Sequence, residues 1–195
     1  MSNDKDAIDR LFKLQAKINM MVVDGTRDAE SVADTLQQIL EEKLTYSRHL
    51  ETLTLAPTKG SVTLAKAKKV FTGYLDSDFN NLGTDVSGID TVDTKVIVHE
   101  MTRDCNHKTL FGLLGDPHKL CLTQGQIVEF CSSNRDSLRQ GGYDTFFLFE
   151  VKGKLFVAIV SVAGGELGAS VRRFRSDVVW DAGVLPRLVV QQQAV

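Results

Sequence analysis

The run Thr145-Phe146-Phe147-Leu148-Phe149-Glu150-Val151 decides the fold. It is short and aromatic, and Lys152-Gly153 separates it from Lys154-Leu155-Phe156-Val157-Ala158-Ile159-Val160-Ser161-Val162. Two apolar runs joined by a tight Gly-bearing turn read as a β-hairpin. Ala163-Gly164-Gly165 then leads into a third strand near Leu167 to Phe174, extending the hairpin to a meander. Side chains alternate between the faces of a strand, so Phe146 and Leu148 point one way and Phe147, Phe149 and Val151 the other. Both sets are apolar. A sheet with one wet face would alternate apolar with polar positions, so both faces of these strands need cover. The sequence offers the N-terminal segment or a second copy of the chain as that cover.

Upstream, residues 4–23 carry Ile8, Leu11, Phe12, Leu14, Ile18, Met21 and Val22 at helical spacing, and Asp24-Gly25 ends the pattern. Asp28 is placed to cap a second helix with the face Ala29, Val32, Ala33, Leu36, Ile39, Leu40 and Leu44. Together they predict an αα-hairpin that buries Leu11, Ile18, Val32, Leu36 and Leu40. The pattern weakens from Thr45, and Pro57-Thr58-Lys59-Gly60 reads as a linker. The predicted layout is a helical hairpin over 1–56 and an α+β domain over 61–195, or one continuous domain.

Beyond the linker, Thr63 is expected to cap a short helix reaching Phe71. Residues 76–93, rich in Asp, Asn, Gly, Ser and Thr, form an irregular loop. Lys95 to Met101 reads as a strand and Lys108 to Leu114 as a short helix. Thr123 and Gln126 form a capping box for a helix bearing Ile127, Phe130, Cys131 and Leu138. Val178 to Trp180 and Leu188 to Val190 read as edge-strand material, with Pro186 confining them to an edge or turn. The fold class is α+β: the hairpin, then an antiparallel sheet of about four to five strands packed by helices.

Length and composition suit a folded domain: 195 residues, 43% hydrophobic and 25% charged. The net charge of −2 and pI near 6.1 give no global pull toward nucleic acid or anionic lipid. No run is long and apolar enough to span a membrane, and the first residues lack the pattern of a signal peptide. Cys105, Cys121 and Cys131 are odd in number and lie in or beside apolar segments, so reduced thiols in a cytoplasmic protein are expected.

The segments Phe71 to Phe79, Leu120 to Ile127 and Gly142 to Phe149 resemble parts of small uncharacterised bacterial proteins of the kind found in metagenomes. The resemblance covers most of the chain. It implies a soluble bacterial-type protein and brings no activity, cofactor or catalytic residue.

Four groups of residues have chemistry to weigh. Cys105-x-His107 and His118-x-x-Cys121 have ligand types that suit zinc, but Cys-x-His is an unusual half-site and Cys121 sits between leucines. The simpler reading is a buried thiol plus two surface histidines, with no metal. Asp76-x-Asp78-x-Asn80 begins like a calcium loop, yet Asn81 stands where glycine is needed and Ser87 where a closing Glu belongs. A solvated Asx turn explains it better. A Cys/His nucleophile would need Cys105 or Cys121 activated by His99, His107 or His118, and no family signature surrounds them. Last, Arg172-Arg173-Phe174-Arg175 could hold phosphate or stack on bases, or could guard a strand edge by charge.

The leading expectation is a non-enzymatic interaction or self-association module, with an unidentified protein partner or a second copy. The first alternative is nucleic-acid binding through Arg172, Arg173 and Arg175; the second is a small Cys/His-dependent hydrolase. No cofactor is implied.

Overall fold

The computed structural model describes residues 2–30, 32–33, 46–175 and 177–193. The chain divides into two units, Met1–Leu44 and Thr45–Val195.

In the first unit, α1 spans Ser2–Val23. It ends as its sequence dictates: Gly25 adopts φ +75° and the Asp24 carboxylate accepts the Thr26 amide at 2.9 Å. A new helical turn starts where Asp28 was expected to cap, with the Val32 amide donating to the Asp28 carbonyl. The rest of that expected helix, with Leu36 and Leu40, lies outside the described residues. No αα-hairpin is therefore evident among the described residues, and Ile18 and Val32 are only half-buried.

The second unit is built on one seven-stranded mixed sheet in the order β1-β3-β7-β4-β5-β6-β2. The strands are β1 Ser47–Leu55, β2 Tyr74–Leu75, β3 Thr94–Met101, β4 Asp144–Val151, β5 Lys154–Ala163, β6 Glu166–Arg173 and β7 Arg187–Gln191. The β4-β5-β6 meander forms as its sequence predicts. Lys152 and Gly153 both take positive φ, 51° and 74°, which is the left-handed turn that matches strand twist.

The sheet is larger than four to five strands and not wholly antiparallel, because β7 runs parallel to β4 and β2 parallel to β6. Besides the two-residue β2, too short to leave an alternating pattern, two departures explain the difference. The first is β1, which lies in the stretch read as fading helix and linker. A bulge between His49 and Glu51 breaks its side-chain alternation, so its period-2 signal is interrupted. The second is β7, which is central where an edge was expected. Leu188, Val189 and Val190 are at most 2% exposed, and such a run needs neighbours on both sides. Pro186 precedes the strand, so its missing N–H costs the ladder nothing, while its carbonyl accepts the Met101 amide at 2.8 Å.

Both sheet faces are covered, and Phe146, Phe147, Leu148 and Phe149 are all fully buried. On one face Phe147, Phe149, Val160 and Val171 pack under Ile127, Phe130 and Cys131, together with Leu64, Phe71 and Phe79. The helix providing the first three, α5, spans Gln124–Ser133 and has the predicted Thr123–Gln126 capping box. Inside it, buried Gln124 accepts the Leu64 amide and donates to the carbonyls of Thr84 and Val86, fastening the irregular 57–93 segment. Thr63 does not cap a helix there. Only a 3₁₀ turn, Leu64–Lys66, forms, and the Thr63 hydroxyl donates instead to Asp85 at 2.6 Å.

On the other face Phe146, Leu148, Val157, Ile159 and Leu188 pack under Leu110, Phe111 and Leu120, with Trp180 at the margin. These come from the short helices α3 (His107–Gly112) and α4 (Pro117–Leu120) and from the segment after β6. So cover for the second face comes from within 45–195, and the expectation that the N-terminal hairpin or a second copy must supply it is corrected. The remaining short helix, α2, spans Asp78–Asn81. Among the described residues no helix is long and apolar enough to cross a membrane.

Because β4 is buried on both sides, Phe146→Ala and Phe147→Ala should each lower unfolding free energy by about 3–5 kcal/mol. Urea melts of the two variants check this; a near-native midpoint for either would contradict the two-sided packing.

Candidate functional site

The sequence brings the three arginines to one place by ending β6 at Arg173. Val171 points into the core and is 3% exposed, which sends Arg172 to the opposite face of the sheet. Beside β6 runs the two-residue β2, after which the Asp76 amide donates to the Ala169 carbonyl at 2.9 Å. That bond sets Asp76, Asp78 and Leu82 next to the end of β6. The chain beyond β6 then folds back, because the Trp180 amide donates to the Cys105 carbonyl at 2.9 Å and the Ala182 amide to the Asp104 carboxylate at 2.7 Å.

These three segments enclose a cleft of about 370 Å³. Its walls are Asp76, Asp78 and Leu82 on one segment, Ser170 to Arg173 on another, and Arg175, Asp177 and Val178 on the third, with His107 also contributing. Arg172 lies over the ring of Trp180 at 5.8 Å, a weak cation–π contact. Arg175 and Asp177 approach to 3.9 Å, but both side chains are more than 60% exposed, so the pair contributes little. Arg173 makes no ion pair among the described residues, and none joins Asp76 or Asp78 to an arginine.

His107 is the residue that sequence reasoning placed wrongly. It was read as a surface histidine; it is 4% exposed, stacked on Trp180 at 5.0 Å and edge-on to Phe146 at 4.7 Å. Its Nε2, and the Nε1 of Trp180, are buried without a hydrogen-bond partner among the described residues. Burial, and then the charge of Arg172, hold its pKa down to about 4. Trp180 was read as strand material. Nothing in one dimension pairs it with a residue 73 positions earlier, and its neighbours Val178 and Val179 stay exposed.

The cysteine and histidine candidates do not converge, although His118 shares a further cleft of about 360 Å³ with Arg173, Phe174 and Arg175. His118 and Cys121 lie on a separate cleft of about 520 Å³, with Gln124, Glu150 and Lys152. There His118 Nδ1 is 2.6 Å from a Glu150 carboxylate oxygen, and this hydrogen bond raises the histidine pKa. The stabilisation from that pair is present at acid pH and is lost as pH rises past the raised value. The Cys121 thiol donates to the Pro117 carbonyl rather than to an imidazole. Burial pushes the Cys105 thiol up to about 11 and the Cys121 thiol up to about 12, and it also raises Cys131. Thiols so shifted hold almost no thiolate at neutral pH.

Among the described residues no three His, Cys, Asp or Glu side chains gather as a metal site. Cys105 and His107 stand by Trp180, whereas His118 is bonded to Glu150 and Cys121 to Pro117. The Asp76 loop is a turn in which Asp76 accepts the Asp78 amide and Asp78 accepts the Asn81 side-chain amide.

Comparison with protein-family models, curated proteins and solved structures finds no match to this chain.

His99 is also held down to about 4, by burial first and then by the neighbouring His49. Between about pH 4 and the ordinary 6.5, the unfolded chain binds protons at His99 and His107 that the folded chain does not. Stability is therefore complete above that window and falls as pH drops through it. Asp144, whose carboxyl burial raises against the opposing charge of Arg172, acts in the reverse sense and softens the fall. The urea midpoint should drop between pH 7 and pH 4.5, and His107→Phe should shrink that drop. An unchanged pH profile in the variant would remove His107 as a cause.

Proposed function

We propose that this protein is a non-enzymatic binding module whose ligand presents an anionic group to Arg172, Arg173 and Arg175. The observation that carries the reading is that all three residues line one cleft of small-molecule size. Guanidinium groups grip carboxylates and phosphates through paired N–H donors, and Arg173 has no competing ion pair among the described residues. The nucleic-acid alternative is weaker, since Asp76, Asp78 and Asp177 share the cleft and would repel a polyphosphate backbone. For the hydrolase alternative, no thiol among the described residues has a lowered pKa or a hydrogen bond to a histidine.

Trp180 is the chain's one tryptophan and carries Arg172 over its ring, so its fluorescence reports on the cleft. Titration with inorganic phosphate and with acetate should change that emission saturably. Arg173→Gln should weaken the response about ten- to hundredfold, the scale of one charge-assisted hydrogen bond. A response indifferent to Arg173→Gln and to Arg172→Gln would refute the reading.

Self-association is the second reading, and the observation favouring it is on α1. Phe12 and Met20 are 64% and 65% exposed, with Leu14 and Val23 also open to solvent. A helix with such side chains buries them well against a copy of itself. Light scattering of the full chain should show a concentration-dependent dimer that Phe12→Glu with Met20→Glu converts to monomer. A mass equal to one chain at every concentration would exclude it.

A further inference from the structure

We propose that the ligand of the arginine cleft is a small zwitterion with an aliphatic body, its carboxylate on Arg172 and Arg173 and its ammonium on Asp76 and Asp78. This rests on the anion-binding reading above and gives it a chemical class. The cleft holds three guanidinium groups and three carboxylates, yet the two signs do not neutralise each other across it. The single ion pair among its described residues joins neighbours on one segment, Arg175 and Asp177. Asp76 and Asp78 approach from the β2–α2 side, Arg172 and Arg173 from β6 and Arg175 from the segment beyond it.

Opposite charges held apart across a cavity of about 370 Å³ are complementary to a molecule carrying both signs a few bonds apart. A simple anion would satisfy the arginines and be repelled by the carboxylates; a simple cation would meet the reverse. Of the remaining lining, Leu82 and Val178 suit an aliphatic group. His107 borders this cleft but is 4% exposed and packed between Phe146 and Trp180 with Nε2 buried, so it closes that side without adding charge.

The test uses the full chain and three probes sharing one carbon skeleton: leucine, 4-methylpentanoate and 3-methylbutylamine. Binding is read by Trp180 emission and by calorimetry. Leucine should bind at least about tenfold more tightly than 4-methylpentanoate, the scale of one added charge-assisted bond. Asp78→Asn, with Asp76→Asn as a second variant, should erase that advantage, weakening leucine while easing the repulsion of 4-methylpentanoate. Arg173→Gln should weaken both. Equal affinity of the native chain for leucine and 4-methylpentanoate would overturn the zwitterion and leave the anion reading standing. Binding of neither, with no response to phosphate or acetate, would overturn both. The amine binding as tightly as leucine would also overturn it. The comparison of probes on the native chain needs no variant, so a poorly folded mutant cannot decide the outcome.

Discussion

The structure depends on one constraint: β4 places large apolar side chains on both of its faces. Phe146 and Leu148 need one apolar layer, and Phe147 and Phe149 need another. Burying each ring contributes about 1.5–3 kcal/mol, so neither layer is optional. One layer is α5 with the fastened 57–93 segment. The other is thin: two short helices and a returning strap that ends in Trp180. The thin layer is where the cleft forms, since His107 and Trp180 are at once the cover over Phe146 and the boundary beneath Arg172.

That double role accounts for the electrostatics. His107 must stay neutral because it is packed among aromatic rings below a guanidinium. Charged groups can gather only at the rim, where water still reaches them. The arginines sit there because β6 ends there, and the aspartates because β2 hydrogen-bonds to β6 and turns away at Asp76. The cleft is thus a by-product of how two strands terminate side by side at one edge of the sheet.

Much of the sheet could be read in one dimension. Hairpin turns, the capping box at Thr123 and the apolar parity of β4 are local patterns, and local patterns survive into the structure. β1 escaped because its bulge interrupts the alternation. β7 was read as peripheral because Pro186 suggests an edge, and the sequence does not say that a proline just before a strand leaves the ladder whole. The N-terminal helix was legible as far as Val23. Of the site, the arginines were visible as a run, while their carboxylate neighbours were read only as a turn. His107 could not be recognised as buried, because what buries it arrives from Trp180 by a long-range bridge.

The place of β7 has a further consequence for how the chain assembles. Without it the sheet is two separate pieces, β1 with β3 and β4 through β6 with β2, and among the described residues only β7 hydrogen-bonds to both. Because residues 187–191 come late in the sequence, a growing chain holds two apolar sheet edges open, one at β3 and one at β4, until this strand arrives. Such edges are templates for pairing with other chains. The keystone strand therefore makes native closure non-local and slow relative to the local hairpins, and a chain that stops short of it exposes two sticky edges at once rather than merely losing one strand.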